Sequence, residues 1–352
     1  MRFIGNKEKL LEKICEAMFK HSVFGVSIFD FFAGTTSVGK YFKSKNYQVY
    51  SSDLLYLSYV LQKAYIENNE VPNFTKLLGG INQNRIKLFG TNFEAIIDYL
   101  NNLDGVSGFI YNNYTPQGTK NLQSPRMYFT GENGKKIDAI RVQIQKWKDC
   151  NLITEMEYYI LLSCLVESVG FFSNVSGVYS AFQKSWDKRA LKPFNLKPIK
   201  FYSSDFENKV FNVNSMDLID AVKADILYLD PPYNSRQYAP NYHLLETIAR
   251  YDNPQIYGVT GMRNYDNQKS DFCNAKKAIK SLDFIAKRGH YKFLLLSYNS
   301  EGIMSKADIL DTLAKYGKVD FEKFEYVRFK SNSKGLSKIQ KSIFEYLFIL
   351  RK

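Results

Sequence analysis

The sequence contains no CxxC pair, no two neighbouring histidines and no apolar run of about 18 residues, and each absence excludes a class of protein. Its four cysteines, Cys15, Cys150, Cys164 and Cys273, stand far apart. Neither a zinc site nor a disulfide framework is implied, and a reducing cytoplasm suits them. The three histidines, His21, His243 and His290, are equally scattered, so no metal is expected. The opening residues Met1-Arg2-Phe3-Ile4-Gly5-Asn6-Lys7 are too charged for a signal peptide, and the expectation is a soluble protein away from membranes.

What the sequence does have is positive charge. Lys and Arg number 48 against 35 Asp and Glu, a net +13 over 352 residues. Such a surplus suits a polyanionic partner, because each neutralised phosphate releases condensed counterions, although it also serves plain solubility. Aromatic residues make up 16%, enough to fill a core and still leave rings on which unpaired bases can stack.

Short apolar runs alternate with helical patterns at both ends of the chain, which predicts an α/β fold with a largely parallel sheet. Strands are expected at Val26–Phe32, Gln48–Ser52, Lys209–Val213, Asp225–Leu229, Tyr291–Ser297 and Ser342–Leu350, and a helix at Ser37–Ser44. The middle reads differently, with loops rich in Asn, Gly and Tyr and two helices at Lys135–Asp149 and Thr154–Gly170. The expected organisation is a discontinuous sheet domain, residues 1–70 and 199–352, holding an inserted domain of residues 71–198.

The first strand ends in a glycine turn, Asp30-Phe31-Phe32-Ala33-Gly34, that leads into a helix. In open α/β sheets such a turn lies where ligands collect, and Gly34 lets a ligand approach the backbone. Asp53, 19 residues beyond Gly34 at the end of the next strand, is spaced to accept ribose hydroxyls. Two other readings stand beside this one. Gly34 to Lys40 fits seven positions of a phosphate-binding P-loop, but Tyr41 replaces the Ser or Thr that ligates magnesium, and the turn can also be purely structural.

The predicted strand DILYL runs directly into Asp230-Pro231-Pro232-Tyr233. Two successive prolines continue neither strand nor helix, so the loop leaves the sheet in a fixed extended shape with carbonyls that lack neighbouring amide donors. A carboxylate, free carbonyls and an aromatic face together suit the exocyclic amino group of a nucleobase. Its lone pair is conjugated into the ring, and hydrogen bonds from both amino protons to Asp230 and a proline carbonyl would turn that pair toward a methyl donor. Tyr233 would stack on the extruded base.

With these motifs on the page, the chain resembles the Dam-type adenine methyltransferases of the alpha group, and more closely the restriction-associated modification methylases of the FokI type. The resemblance spans nearly the whole chain. It rests on the opening Arg2 to Lys7, the glycine turn, the tetrapeptide with its continuation Asn234 to Tyr238, and Asn241 to Thr247. It implies a Rossmann-like methyltransferase sheet, mostly parallel with an antiparallel strand near the C-terminus, and S-adenosylmethionine as cofactor. By the same resemblance Phe3, Gly5, Lys7, Asp30, Phe32, Gly34, Asp53, Asp217 and Asp230 become cofactor candidates, with Lys7 facing the methionine carboxylate and Asn214 to Asp217 near the cofactor adenine.

The insert corresponds to the family's target recognition domain on double-stranded DNA. Arg126, Tyr128, Arg141, Lys184 and Arg189, with Arg236 and Tyr238 beyond the tetrapeptide, are the expected DNA contacts, since basic side chains among aromatics anchor phosphates and reach bases. The implied activity is site-specific adenine-N6 methylation, with a restriction endonuclease as an independently acting partner and a cytoplasmic location. Methylation of cytosine or RNA, and a non-catalytic DNA-binding subunit, stand as alternatives. One departure is visible: the turn reads Ala-Gly-Thr-Thr where many relatives have a second glycine.

Overall fold

Apolar runs too short for helices become the strands of one seven-stranded sheet, ordered β3-β2-β1-β4-β7-β9-β8. These are β1 (Ser27–Asp30), β2 (Gln48–Ser52), β3 (Lys209–Phe211), β4 (Ile226–Leu229), β7 (Phe293–Asn299), β8 (Lys318–Tyr326) and β9 (Ile343–Arg351). A separate antiparallel ribbon pairs β5 (Ile256–Tyr257) with β6 (Met262–Arg263). The computed structural model describes residues 7–78, 90–326 and 343–352.

Strands β3, β2, β1, β4 and β7 are parallel, whereas β9 runs antiparallel to both β7 and β8. Every residue of β1 and β4 is buried, as expected for strands covered on both faces. The sheet core joins Phe29, Leu227, Leu229, Leu294 and Leu296 to Leu282 and Ile285 of helix Ala275–Arg288 and Leu313 of helix Lys306–Leu313. From β1 the chain builds outward through β2 and β3 on one side; β4 and β7 build on the other. The order reverses between β1 and β4, and a crevice for ligands opens at the carboxyl ends of strands at such a reversal.

Strand β2 and helix Ser37–Ser44 occupy the predicted residues, and other shared strands differ at their ends. Strand β8 was not predicted. Its sequence, KVDFEKFEY, intersperses charges among the apolar residues because it lies at the sheet edge, with one neighbour only.

The chain divides into two compact units. The sheet unit comprises residues 7–62, Ser203–Ala239 and Asp266–Lys352; the second comprises Lys63–Tyr202 and Pro240–Tyr265. The segment Pro240–Tyr265, expected within the sheet domain, thus groups with the second unit. The reason lies in its hydrogen bonds: Arg141 holds the carbonyls of Ile248, Ala249 and Arg250, and His243 meets the carbonyl of Tyr179.

In this second unit, helices Gly131–Asp149 and Glu155–Phe172 pack together. Thr130 caps the first at Asn133, starting it four residues before the predicted Lys135, and Thr154 forms a capping box with Glu157 at the second. No helix among the described residues is long and apolar enough to cross a membrane.

Candidate active site

Acidic side chains gather at the carboxyl edge beside the strand-order reversal. Asp30 ends β1 and Asp230 follows β4 directly, their strands paired in register (Asp30 with Tyr228). Asp53 follows β2, and its Oδ2 accepts the Gly34 amide at 2.8 Å while Oδ1 accepts that of Leu55 at 2.9 Å. Asp53 thus clamps the glycine turn.

The turn itself needs a left-handed backbone at two places, Gly34 (φ 50°) and Thr36 (φ 62°). Thr36 takes the conformation a glycine would, an unusual one for a β-branched residue. It is fully buried, and its hydroxyl donates to the Thr35 carbonyl at 2.5 Å. The helix begins at Ser37, two residues before Gly39, which leaves too short a loop to wrap a phosphate as a P-loop does.

Asp30 is the least satisfied polar group of the region. It is 1% exposed, and among the described residues neither carboxyl oxygen has a hydrogen-bond partner of normal geometry. Burial foremost, then the charges of Asp230 and Asp53, push its pKa up to about 8, only partly opposed by the amides of Gly39 and Phe32. An unpartnered acid at a ligand-collecting edge fits a cationic guest.

Lys7 is buried between two carboxylates, bonding Asp230 Oδ1 at 3.2 Å and Glu345 Oε1. Burial alone would lower its pKa, but the two acids outweigh this and raise it. Asp230, 21% exposed, is pushed up to about 6 by burial, with Lys7 pulling down and Glu345 pushing up. The contact expected of Lys7 with a cofactor carboxylate is not what the chain itself shows, since two of its three donors are engaged by acids. Glu345 was missed from sequence. The available signal was one acid inside the apolar run SIFEYLFIL.

The tetrapeptide loop is pinned from below. The carbonyl of Tyr233 accepts the Ile303 amide at 2.9 Å, and Asn234 turns the chain by accepting the Arg236 amide at 2.9 Å. Gln237 exchanges two bonds with the Ser270 backbone. Among the described residues no hydrogen bond reaches the carbonyls of Asp230 or Pro231. Pro231 is buried, Pro232 and Tyr233 are partly exposed, and the Tyr233 ring packs against the core while keeping an accessible side.

Of the other candidates, Phe32 packs edge-on to Phe272 at 5.3 Å, and Asp217 is exposed on the turn Ser215–Leu218, which Ser215 ties to the Phe31 carbonyl at 2.6 Å. Phe3 and Gly5 lie outside the described residues.

The expected DNA contacts divide. Arg126 is buried, donating to the carbonyls of Asn113, Gly258 and Val259, each at 3.0 Å. Arg141, 1% exposed, serves the last carbonyls of helix Tyr238–Arg250 together with Gln145 and Tyr158. Tyr128 is fully buried and donates to the Tyr179 carbonyl at 2.6 Å. For these three the expectation of a DNA-facing side chain needs correcting: their polar groups satisfy backbone inside the second unit. Lys184 and Arg236 are exposed; Arg189 is partly exposed and held by Asp187, and Tyr238 is partly exposed at the start of its helix.

The chain is 41% identical over its whole length to the type II methyltransferase M.FokI of Planomicrobium okeanokoites and to the modification methylase StsI of Streptococcus sanguinis, covering 53% and 52% of them. It therefore spans about half the length of these two relatives. It is also 37% identical, whole chain against 99% of the relative, to the type II methyltransferase M.NlaIII of Neisseria lactamica. Residues 3–312 match a family profile, and the chain belongs to the D12 class N6 adenine-specific DNA methyltransferases.

Proposed function

We propose that this chain methylates the N6 amino group of adenine in double-stranded DNA, as the modification enzyme of a type II restriction-modification system. The observation that carries the reading is the corner after β4, where Asp230 and the unengaged carbonyls of Asp230 and Pro231 stand beside the Tyr233 ring. The family implies S-adenosylmethionine, and the residues fit it: the unpartnered buried carboxyl of Asp30 suits a positively charged ligand, and Gly34 leaves the backbone approachable. Asp30, Phe32, Gly34, Asp53 and Asp217 would hold it, with Phe3 and Gly5 from the opening segment. When bound, it supplies an electrophilic methyl group.

The chain's residues do the rest. Asp230 and the Pro231 carbonyl accept the two amino protons, drawing the nitrogen out of conjugation so that its lone pair faces the methyl donor. Tyr233 stacks on the extruded base, a contact worth about 1–3 kcal/mol that offsets part of the unpairing cost. No strong base is needed beforehand, since the amino protons become acidic once nitrogen bears positive charge. The second unit serves as target recognition domain, with Lys184 and Arg189 as candidate DNA contacts; Arg236 and Tyr238 of the sheet unit are the other two candidates. A cognate endonuclease would act independently, in the cytoplasm.

The test is transfer of labelled methyl from S-adenosylmethionine to duplex DNA, followed by nucleoside analysis of the product. N6-methyladenine is expected, and Asp230→Ala should lose transfer while still binding the cofactor. Undiminished transfer by that variant, or N4-methylcytosine as product, would overturn the reading.

A further inference from the structure

Strand β9 is the sheet's one reversed member, and the reversal places its first residues at the carboxyl edge of β4 and β7. Glu345 pairs in register with Asn299 there. It is 4% exposed, and three groups fix it: Oε1 accepts Ser297 Oγ at 3.2 Å and bonds Lys7, while Oε2 accepts Asn299 Nδ2 at 3.4 Å. Lys7 in turn meets Asp230 Oδ1 at 3.2 Å. The line Glu345–Lys7–Asp230 therefore holds two carboxylates around one ammonium and carries one net negative charge.

A simple pair would behave differently. Were Lys7 shared with no second acid, its buried ammonium would turn wholly to Asp230, occupy both oxygens and neutralise it. Glu345 draws the ammonium to its other side, so that among the described residues Oδ2 of Asp230 has no ion-pair partner and is more electron-rich.

We propose that Glu345 is a positioning residue for methyl transfer, confining Lys7 to Oδ1 of Asp230 so that the other carboxylate oxygen can accept an amino proton of the target base. This rests on the reading of Asp230 as the group that receives that proton. Among the described residues the charged and titratable groups around Asp230 are Lys7 from the N-terminal segment, Glu345 from β9, Asp30 from β1, Tyr228 from β4 and Tyr233 from the loop. Of these, Glu345 keeps the carboxyl basic against the pull of Lys7.

The experiment is the single-turnover methylation rate from pH 5 to pH 9 in wild type, Glu345→Gln and Glu345→Asp. In Glu345→Gln the rate plateau should fall about tenfold. Asp230 should ionise more easily, so the acidic limb of the profile should move to lower pH by about one unit. Glu345→Asp retains the charge and should restore the limb to within a few tenths of a unit. A folded Glu345→Gln with an unmoved limb would overturn the proposal, as would Gln and Asp variants with the same profile. If Glu345→Gln does not fold, Asn299→Ala, which loosens the same carboxylate, should shift the limb in the same direction, and an unmoved limb there counts equally against it. Asp230→Ala separates the two readings. Full activity in that variant removes the assignment of Asp230 itself, whereas an inactive Asp230→Ala beside an unmoved limb in Glu345→Gln removes only the role of Glu345.

Discussion

Replacing Asp30 with Asn should stabilise the free protein at neutral pH while weakening its hold on the methyl donor. The folded chain keeps this carboxyl protonated to about pH 8, against 3.8 for an ordinary aspartate. Between those values the unfolded chain gives up the proton and the folded chain does not. The folded state therefore binds more protons, and stability falls as pH rises through that window. Each pH unit is worth about 1.4 kcal/mol, so about three units up to pH 7 set a ceiling of about 4 kcal/mol on the cost that Asp30 imposes. Asn carries no such cost. Urea denaturation of both proteins without ligand at pH 5, 6, 7 and 8 should give a stability difference that grows in favour of Asp30→Asn by about 1 kcal/mol per unit. In the variant, saturating S-adenosylmethionine should add less stability than in wild type, because Asn has no proton to give up and cannot become a carboxylate opposite a cationic ligand. A stability difference that stays constant from pH 5 to pH 8 would refute the reasoning.

Two further outcomes follow from the placement of the basic residues. Arg141→Met strips charged donors from two buried carbonyls and one half-buried one at the end of helix Tyr238–Arg250, and should cost about 3 kcal/mol or more in thermal or urea unfolding; a loss under 1 kcal/mol would contradict its structural role. Lys184→Ala and Arg236→Ala, both at exposed positions, should leave stability within about 0.5 kcal/mol and lower the slope of log affinity for DNA against log salt by about 1 each, as measured by fluorescence anisotropy.

The sequence was most readable where local physics decides the outcome. Strand β2 and helix Ser37–Ser44 are set by short-range apolar patterning, and the tetrapeptide declares itself because two prolines after an apolar strand leave few conformations. Legibility ended where a side chain's role depends on what the fold brings to it. Arg126 and Arg141 have the same composition signal as a DNA-facing arginine; only their carbonyl partners, Asn113, Gly258 and Val259 for the first and Ile248, Ala249 and Arg250 for the second, turn them inward. Glu345 gave a faint signal for the same reason: a lone acid in an apolar strand is unexplained until Lys7, 338 residues away, lies against it. Segment Pro240–Tyr265 clusters with the second unit, and no local feature of its sequence states which core it joins.

Charge acts in opposite senses at two ranges in this chain. Over the whole molecule the excess is +13, which attracts a polyanion from a distance of about one Debye length, near 8 Å in physiological salt. At the carboxyl edge the balance reverses: Asp30, Asp53, Asp230 and Glu345 stand with Lys7 as the cation paired to two of them. A phosphate that followed the long-range field to this corner would meet carboxylates and be repelled. An exocyclic amino group, with two protons to donate and no charge, meets acceptors. So does a cationic ligand, for which Asp30 must give up its proton. On the proposed reading the acid cluster sorts what the basic charge gathers, and the cost of keeping Asp30 buried without a partner among the described residues favours a positive guest.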